Sequence, residues 1–257
     1  MAELSIIIIS HSHGSLLIQL LESLERQLPP FEFRVRLILN APEEERILVN
    51  LSRVNLDISI SQRNLSQSLS SNLNACIREV DTPYSLILNP DVILPNENLH
   101  QMFKFLKSSN SDLATCQAKS PENQDLVNLR HFPSLLSLLY ERLTSEGSRL
   151  KTQHNIMKGM DTGLFWIQGS YLMAPTSTFQ ELSFDERYPL YFEDVDFCRR
   201  LVLTGKKIGI CKETYFIHYF QRKSSQIFSK YFFLHLYSAL LYFIKYRLSQ
   251  PKLKPHE

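Results

Sequence analysis

Residues 84–95 read YSLILNPDVILP, a largely apolar run that stops abruptly at Asn89, Pro90 and Asp91, all turn formers. A run this short, bounded by turn residues, fits a strand buried on both faces. Similar runs precede it: LSIIII (4–9), RVRLIL (34–39) and LDISIS (56–61). Helical spacing separates them. Leu16, Leu17, Leu20, Leu21, Leu24 and Leu28 form one apolar stripe, and Leu69, Leu73, Cys76, Ile77 and Val80 another. Uninterrupted apolar strands alternating with amphipathic helices predict an α/β fold, a mostly parallel sheet with helices on both faces. In such sheets ligands bind beyond the carboxyl ends of the strands. That rule selects Ser10 and His11, Asn40, Arg63 and Asn64, and Asn89 with Asp91 as candidate site residues.

The second half of the chain is less regular. Residues 119–160 read as an insertion or loop region with a leucine-rich helix near 134–143. LFWIQGSYLMA (164–174) reads as a strand carrying one glycine, and KIGICK (207–212) and YFIHY (215–219) as two short strands. Residues 230–248 form the most apolar helix, interrupted by His235 and shorter than the ~20 residues that span a bilayer. Two readings stay open for it, an interfacial membrane helix or a helix docked on the domain, each with Lys245, Arg247, Lys252 and Lys254 at its basic end.

Composition excludes several classes. A net charge of +2 over 257 residues, with no basic run, leaves no electrostatic footprint for nucleic acid. The four cysteines form no C-x-x-C pair and read as reduced core thiols of a cytosolic protein. The MAELSIIIIS start lacks a basic region and a long apolar stretch, so it reads as a buried strand rather than a signal peptide. None of the seven glycines lies in a dinucleotide-binding or P-loop spacing, so a phosphorylated ligand would need another electrophile.

YFEDVDFCRR (191–200) packs three carboxylates into four positions. On a helix from Glu193 to Leu203, Val195, Cys198, Leu201 and Val202 share one face, while Asp196, Arg199 and Arg200 share the other. Asp196 and Arg200 then suit a surface ion pair. Asp194 heads the buried stripe, where a carboxylate needs a ligand, a metal or a helix N-terminus to compensate it.

Three stretches in order resemble the inverting glycosyltransferases of family two, with the GT-A fold, and especially their rhamnosyltransferase-like branch. They are YSLILNPDVILP (84–95), the block from Phe165 to Ile210 with Trp166, Gly169, Phe184-Asp185-Glu186 and Glu193-Asp194-Val195-Asp196, and YFIHYF (215–220). The resemblance implies a Rossmann-like GT-A domain over 1–225, with a nucleotide-binding half (1–118) and an acceptor and catalytic half (119–225), followed by a C-terminal helix and tail (226–257). It implies Asp194 as the catalytic base, kept ionised by the helix dipole, with Glu193 on sugar or acceptor hydroxyls. Asp91 would hold Mn2+ or Mg2+ under the diphosphate, with Asn89 nearby, and His218 is either a further metal ligand or a strand histidine in a polar cluster. Trp166 and Gly169 would floor the sugar site, and Ser10, His11, Asn40 and Asn64 would meet the nucleotide.

The sequence departs from the family at LILNAPEE, which keeps only Asn40 of the usual acidic pair, and at NLSQSLSSN (64–72), where Ser66 replaces a glycine. The implied activity is transfer of a hexose, L-rhamnose from a thymidine diphosphate donor, to a surface polysaccharide or lipid-linked oligosaccharide. The implied location is cytoplasmic, peripheral on the inner membrane. A non-catalytic GT-A scaffold subunit is the alternative, which the retained acids oppose.

Overall fold

The computed structural model describes residues 1–134, 146–160, 164–219 and 229–247. The leucine-rich segment near 134–143 and the basic tail with Lys252 and Lys254 lie almost wholly outside them. Strand β1 (Leu4–His11) is flanked by β2 (Phe33–Ala41) and β4 (Tyr84–Leu88), both parallel to it, and β3 (Ile58–Gln62) extends the sheet beyond β2. On the other side lie β9 (Tyr171–Pro175), β6 (Leu113–Lys119), β10 (Ile208–His218) and the two-residue β5 (Val92–Ile93), giving the order β3-β2-β1-β4-β9-β6-β10-β5. β9 runs antiparallel between β4 and β6.

The four isoleucines of β1 account for this placement. Ile6 and Ile8 enter the core on one face of the sheet, and Ile7 and Ile9 the core on the other. Period-2 alternation sends successive side chains to opposite faces, so an all-apolar strand belongs at the centre, where burying each side chain contributes about 1.5–3 kcal/mol. Helix α1 (Ser15–Glu25) covers one face with Leu17, Leu20, Leu21 and Leu24; Leu28, past its end, is exposed. Helix α3 (Leu69–Glu79) covers the other with Leu73, Cys76 and Ile77, and starts where Ser68 Oγ accepts the Ser71 N–H at 3.1 Å. Between them lies α2 (Glu45–Leu51), and α4 (Asn98–Ser108) packs beside β10 and β6.

Two strand expectations are corrected. KIGICK and YFIHY are one strand, β10, whose pairing with β6 shifts register between Cys211 and Tyr215, so a local bulge rather than a break separates them. Gly209 is needed there because a Cβ would stand 2.1 Å from Ser111 Oγ. Conversely, LFWIQGSYLMA is two strands. β8 (Phe165–Ile167) pairs with β7 (Leu129–His131) in a separate two-stranded sheet, and the chain turns at 168–170 before entering the main sheet as β9. Helix α5 (Glu146–Met157) follows β7, and α6 (Thr176–Leu182) leaves β9.

Helix α7 (Glu193–Leu203) buries Val195, Cys198 and Leu201 as its periodicity requires. It also buries Asp196, which is fully inaccessible and therefore no surface residue. The cause is helix α8 (Lys230–Arg247), whose Ala239, Tyr242 and Tyr246 form a third core with Tyr188, Phe192 and Val195. All four cysteines are buried free thiols.

Candidate active site

The sequence-selected residues fall into three groups around the carboxyl ends of the parallel strands. The first surrounds a cleft lined by Asn89, Gly169, Glu193 and Asp194 over an apolar floor that includes Ile9, Leu73 and Phe184. Asp194 Oδ2 accepts the Gly169 N–H at 2.8 Å, and Oδ1 accepts the Val195 N–H at 2.8 Å. A Cβ on Gly169 would stand 3.4 Å from that of Asp194, so the turn approaches closely here. Glu193 is buried, and among the described residues its Oε2 has no hydrogen-bond partner.

These environments separate the two acids. Burial, then the charge of Asp194, raises the Glu193 carboxyl well above the usual glutamate range. Burial also raises Asp194, but the backbone N–H groups of Gly169 and Val195 and the charge of Arg130 oppose it. The dipole-driven depression expected for Asp194 is thus corrected: desolvation outweighs it. The pair still carries one charge most readily on Asp194, with Glu193 holding a proton. Arg130, paired across the two-stranded sheet with Trp166, was not singled out in the sequence because it lies in a region that reads as an insertion.

The second group is Asp91 and His218. Asp91 immediately precedes β5 and His218 ends β10 where those two strands pair at the sheet edge, with His218 Nε2 3.3 Å from Asp91 Oδ1 and both side chains at most 10% exposed. Burial pushes Asp91 upward, yet the hydrogen bond and charge of His218, with a contribution from His13, hold it below its ordinary value. Among the described residues no cluster of three or more His, Cys, Asp or Glu side chains is arranged around a cation. A carboxylate oxygen and an imidazole nitrogen fit a divalent cation that takes its remaining ligands from a diphosphate and water, and the imidazole suits Mn2+ better than Mg2+.

The third group lies after β1 and β2. Ser10 Oγ donates to Glu43 Oε1 at 2.8 Å, and Glu43 also accepts the N–H groups of His13 (3.1 Å) and Gly14 (3.2 Å) at the start of α1. Glu43 carried no sequence signal beyond a run of three glutamates after Pro42, because backbone amides make its site. Asn40 is buried; it donates to the Gln67 carbonyl at 2.9 Å and accepts from Gln67 N and Asn72 Nδ2, each at 2.9 Å. Those bonds clamp the 64–68 loop to the end of β2. His11 and Asn64 are exposed at the same rim. Trp166 donates its indole N–H to the His131 carbonyl at 3.1 Å and packs against the core under α8.

Residues 5–167 match the model of glycosyl transferase family 2. The chain belongs to that family. The match ends before α7, so Glu193, Asp194 and His218 rest on their geometry. The chain is 26% identical over 253 residues to the rhamnosyltransferase WbbL of Escherichia coli (strain K12), covering 95% of this chain and 93% of that protein. Among solved structures, residues 1–349 of S. aureus TarS superpose with a TM-score of 0.60 at 17% identity, covering 85% of this chain and 60% of that one. The mannosyltransferase PcManGT from Pyrobaculum calidifontis, in complex with GDP-Man and Mn2+, superposes with a TM-score of 0.64 at 11% identity, covering 97% of this chain and 65% of that one. The chain thus spans less than two thirds of either solved protein, and at such identities the likeness carries the fold, GT-A. As a family 2 member, the chain is a glycosyltransferase.

Proposed function

We propose that this glycosyltransferase inverts the anomeric centre as it moves a hexose, L-rhamnose from a thymidine diphosphate donor, to a hydroxyl of a surface polysaccharide or lipid-linked oligosaccharide. The observation that carries the reading is the adjacent acid pair at one cleft, with Asp194 held by the Gly169 and Val195 N–H groups and Glu193 buried beside it. Similarity to WbbL supports the rhamnosyl donor.

An inverting transfer needs a base on the sugar face opposite the leaving group. Asp194 takes the acceptor hydroxyl proton as the new C–O bond forms and the bond to the diphosphate breaks. Two of the four lone-pair positions of its carboxylate remain open for that proton. Glu193, as a neutral acid, donates to a sugar or acceptor hydroxyl. Asp91 and His218 would hold Mn2+ or Mg2+, which supplies positive charge to the departing diphosphate. His11 and Asn64 contact the nucleotide directly, whereas Ser10 and Asn40 hold the loops that frame it. Asn89, Trp166 and Gly169 shape the sugar side. In this reading residues 1–118 hold the nucleotide, 119–225 the acceptor, and 226–257 form the appended helix and tail.

We extend the reading to location, a cytoplasmic enzyme resting on the inner face of the membrane. Among the described residues no helix is long and apolar enough to cross a bilayer. Phe233, Leu236, Tyr237, Leu240 and Ile244 of α8 are each more than half exposed in one stripe, which supports an interfacial contact. Lys245 does not contribute to headgroup attraction, being bound by Asp185 and Asp196.

The test is transfer from a panel of nucleotide sugars with manganese, with the product's anomeric configuration read by NMR. Asp194→Asn is expected to lose ~10²–10⁴ in rate while donor affinity stays within a few fold. Near-normal turnover in that variant would remove Asp194 as the base, and retention of configuration would refute inversion.

A further inference from the structure

Helix α7 begins from a strained turn. Tyr191 and Phe192 both adopt a left-handed φ of 67°, and no side chain caps the helix that starts at Glu193. Two successive non-glycine residues in that conformation are strained, because the Cβ of each crowds the following carbonyl. They persist only if surrounding contacts over-determine them.

Helix α8 supplies those contacts from one end of the turn to the other. Ser238 Oγ donates to the Leu190 carbonyl at 2.8 Å, ahead of the strained pair. The His235 ring lies 5.4 Å from the rings of both Tyr191 and Phe192, and Tyr242 lies 5.4 Å from Phe192. One turn into α7, the fully buried Asp196 accepts from Lys245 Nζ at 2.5 Å, Tyr246 Oη at 2.8 Å and Arg200 Nε at 2.7 Å. Lys245 also reaches Asp185 Oδ2 at 2.8 Å. Removing one partner of a buried charge pair leaves the other uncompensated, which is costly. Asp196 is therefore a fixed point for the helix that carries the acid pair three and two residues earlier.

We infer that α8 is a positioning element of the active site, in which Lys245 and Ser238 hold the Leu190–Phe192 turn and so fix where Glu193 and Asp194 stand in the cleft. Neither residue touches the cleft; both act through α7. The inference rests on the acid pair being the reacting group, and it assigns the C-terminal helix a catalytic dependence that an appended tail would lack.

Amide hydrogen exchange tests it without relying on activity, because the Gly169 N–H reports on Asp194 directly. In Lys245→Met, Gly169 is expected to exchange at least tenfold faster while the Ile7 and Ile8 amides of β1 keep their protection. On whichever donor the wild type uses, kcat should fall about tenfold, with donor KM within twofold. Should Lys245→Met fail to fold, Ser238→Ala deletes a single hydroxyl and carries the same two readouts. Exchange at Gly169 that is unchanged, or that rises only in step with Ile7, would overturn the inference, as would unchanged kcat. A wild type that transfers from no donor would refute the proposed activity alone, since the exchange measurement would still decide the role of α8.

Discussion

Glu193→Gln isolates the consequence of burying a carboxyl with an unpartnered oxygen. In the folded chain its pKa is raised by burial first and by Asp194 second, whereas unfolded it titrates near the ordinary value of 4.5. The sign follows. Between that value and the folded pKa, the unfolded chain has released a proton that the native state still holds, so wild-type stability falls as pH rises through the window. Glutamine has nearly the same shape and never ionises, so the variant escapes that loss. Its advantage should grow by about 1.4 kcal/mol per pH unit, or roughly 3–5 °C of Tm for a chain of this size, until the folded carboxyl itself ionises. The assay is thermal unfolding of wild type and Glu193→Gln at unit intervals from pH 5 to pH 8. All other titrating groups are common to both proteins, so the difference between the two curves isolates this carboxyl and its coupling to Asp194. Parallel curves would refute the reasoning, because a solvated or hydrogen-bonded Glu193 would have no raised pKa to remove.

Asp91→Ala should abolish manganese-dependent binding of the nucleoside diphosphate, and calorimetry giving wild-type affinity with manganese present would show that NPDV is only a turn. For α8, cosedimentation with anionic liposomes is expected at low salt and release at high salt, with basic groups contributing about 1 kcal/mol each near the surface. Protein remaining in the supernatant at low salt would remove the interfacial role and leave α8 as a helix docked on the domain.

The sheet was legible because its central strands β1 and β4 are short and buried on both faces, as a double-covered sheet requires, although β3 at the edge is largely exposed. The strand ends were legible for the same reason, since polar residues such as Asn40, Asn89 and Asp91 interrupt the runs where the ligand face begins. Asp196 was misread because periodicity describes one helix at a time. Its i, i+4 partner Arg200 is indeed bonded, but the surface supposed around the pair is occupied by Lys245 and Tyr246 from a helix about fifty positions later. Gly169 was misread as a strand glycine because a turn that spends its N–H on a distant carboxylate looks, in sequence, like a strand interrupted once. Glu43 and Arg130 were missed for a related reason: one is recognised by backbone amides, the other acts through charge from a small two-stranded sheet.

The separation of the two acidic centres follows from the geometry that displacement imposes. A group that neutralises the leaving diphosphate and a base that approaches from the opposite side of the sugar cannot both come from the ends of the same strands. Asp91 stands just beyond the end of β4, on a main-sheet edge within the stretch matched by the family, while Asp194 arrives on a helix outside that stretch. One turn joins them. Asn89 N–H donates to the Ser170 carbonyl at 3.0 Å, and Gly169 N–H, one residue earlier in that turn, donates to Asp194 at 2.8 Å. The spacing between the proposed cation site and the proposed base is therefore set by the backbone of residues 168–170 on one side and by the contacts of α8 with α7 on the other. A Cβ at 169 would rest in van der Waals contact with Asp194, 3.4 Å from its Cβ and 3.5 Å from Oδ2, so the backbone at 169 and the Asp194 carboxylate are packed directly on each other.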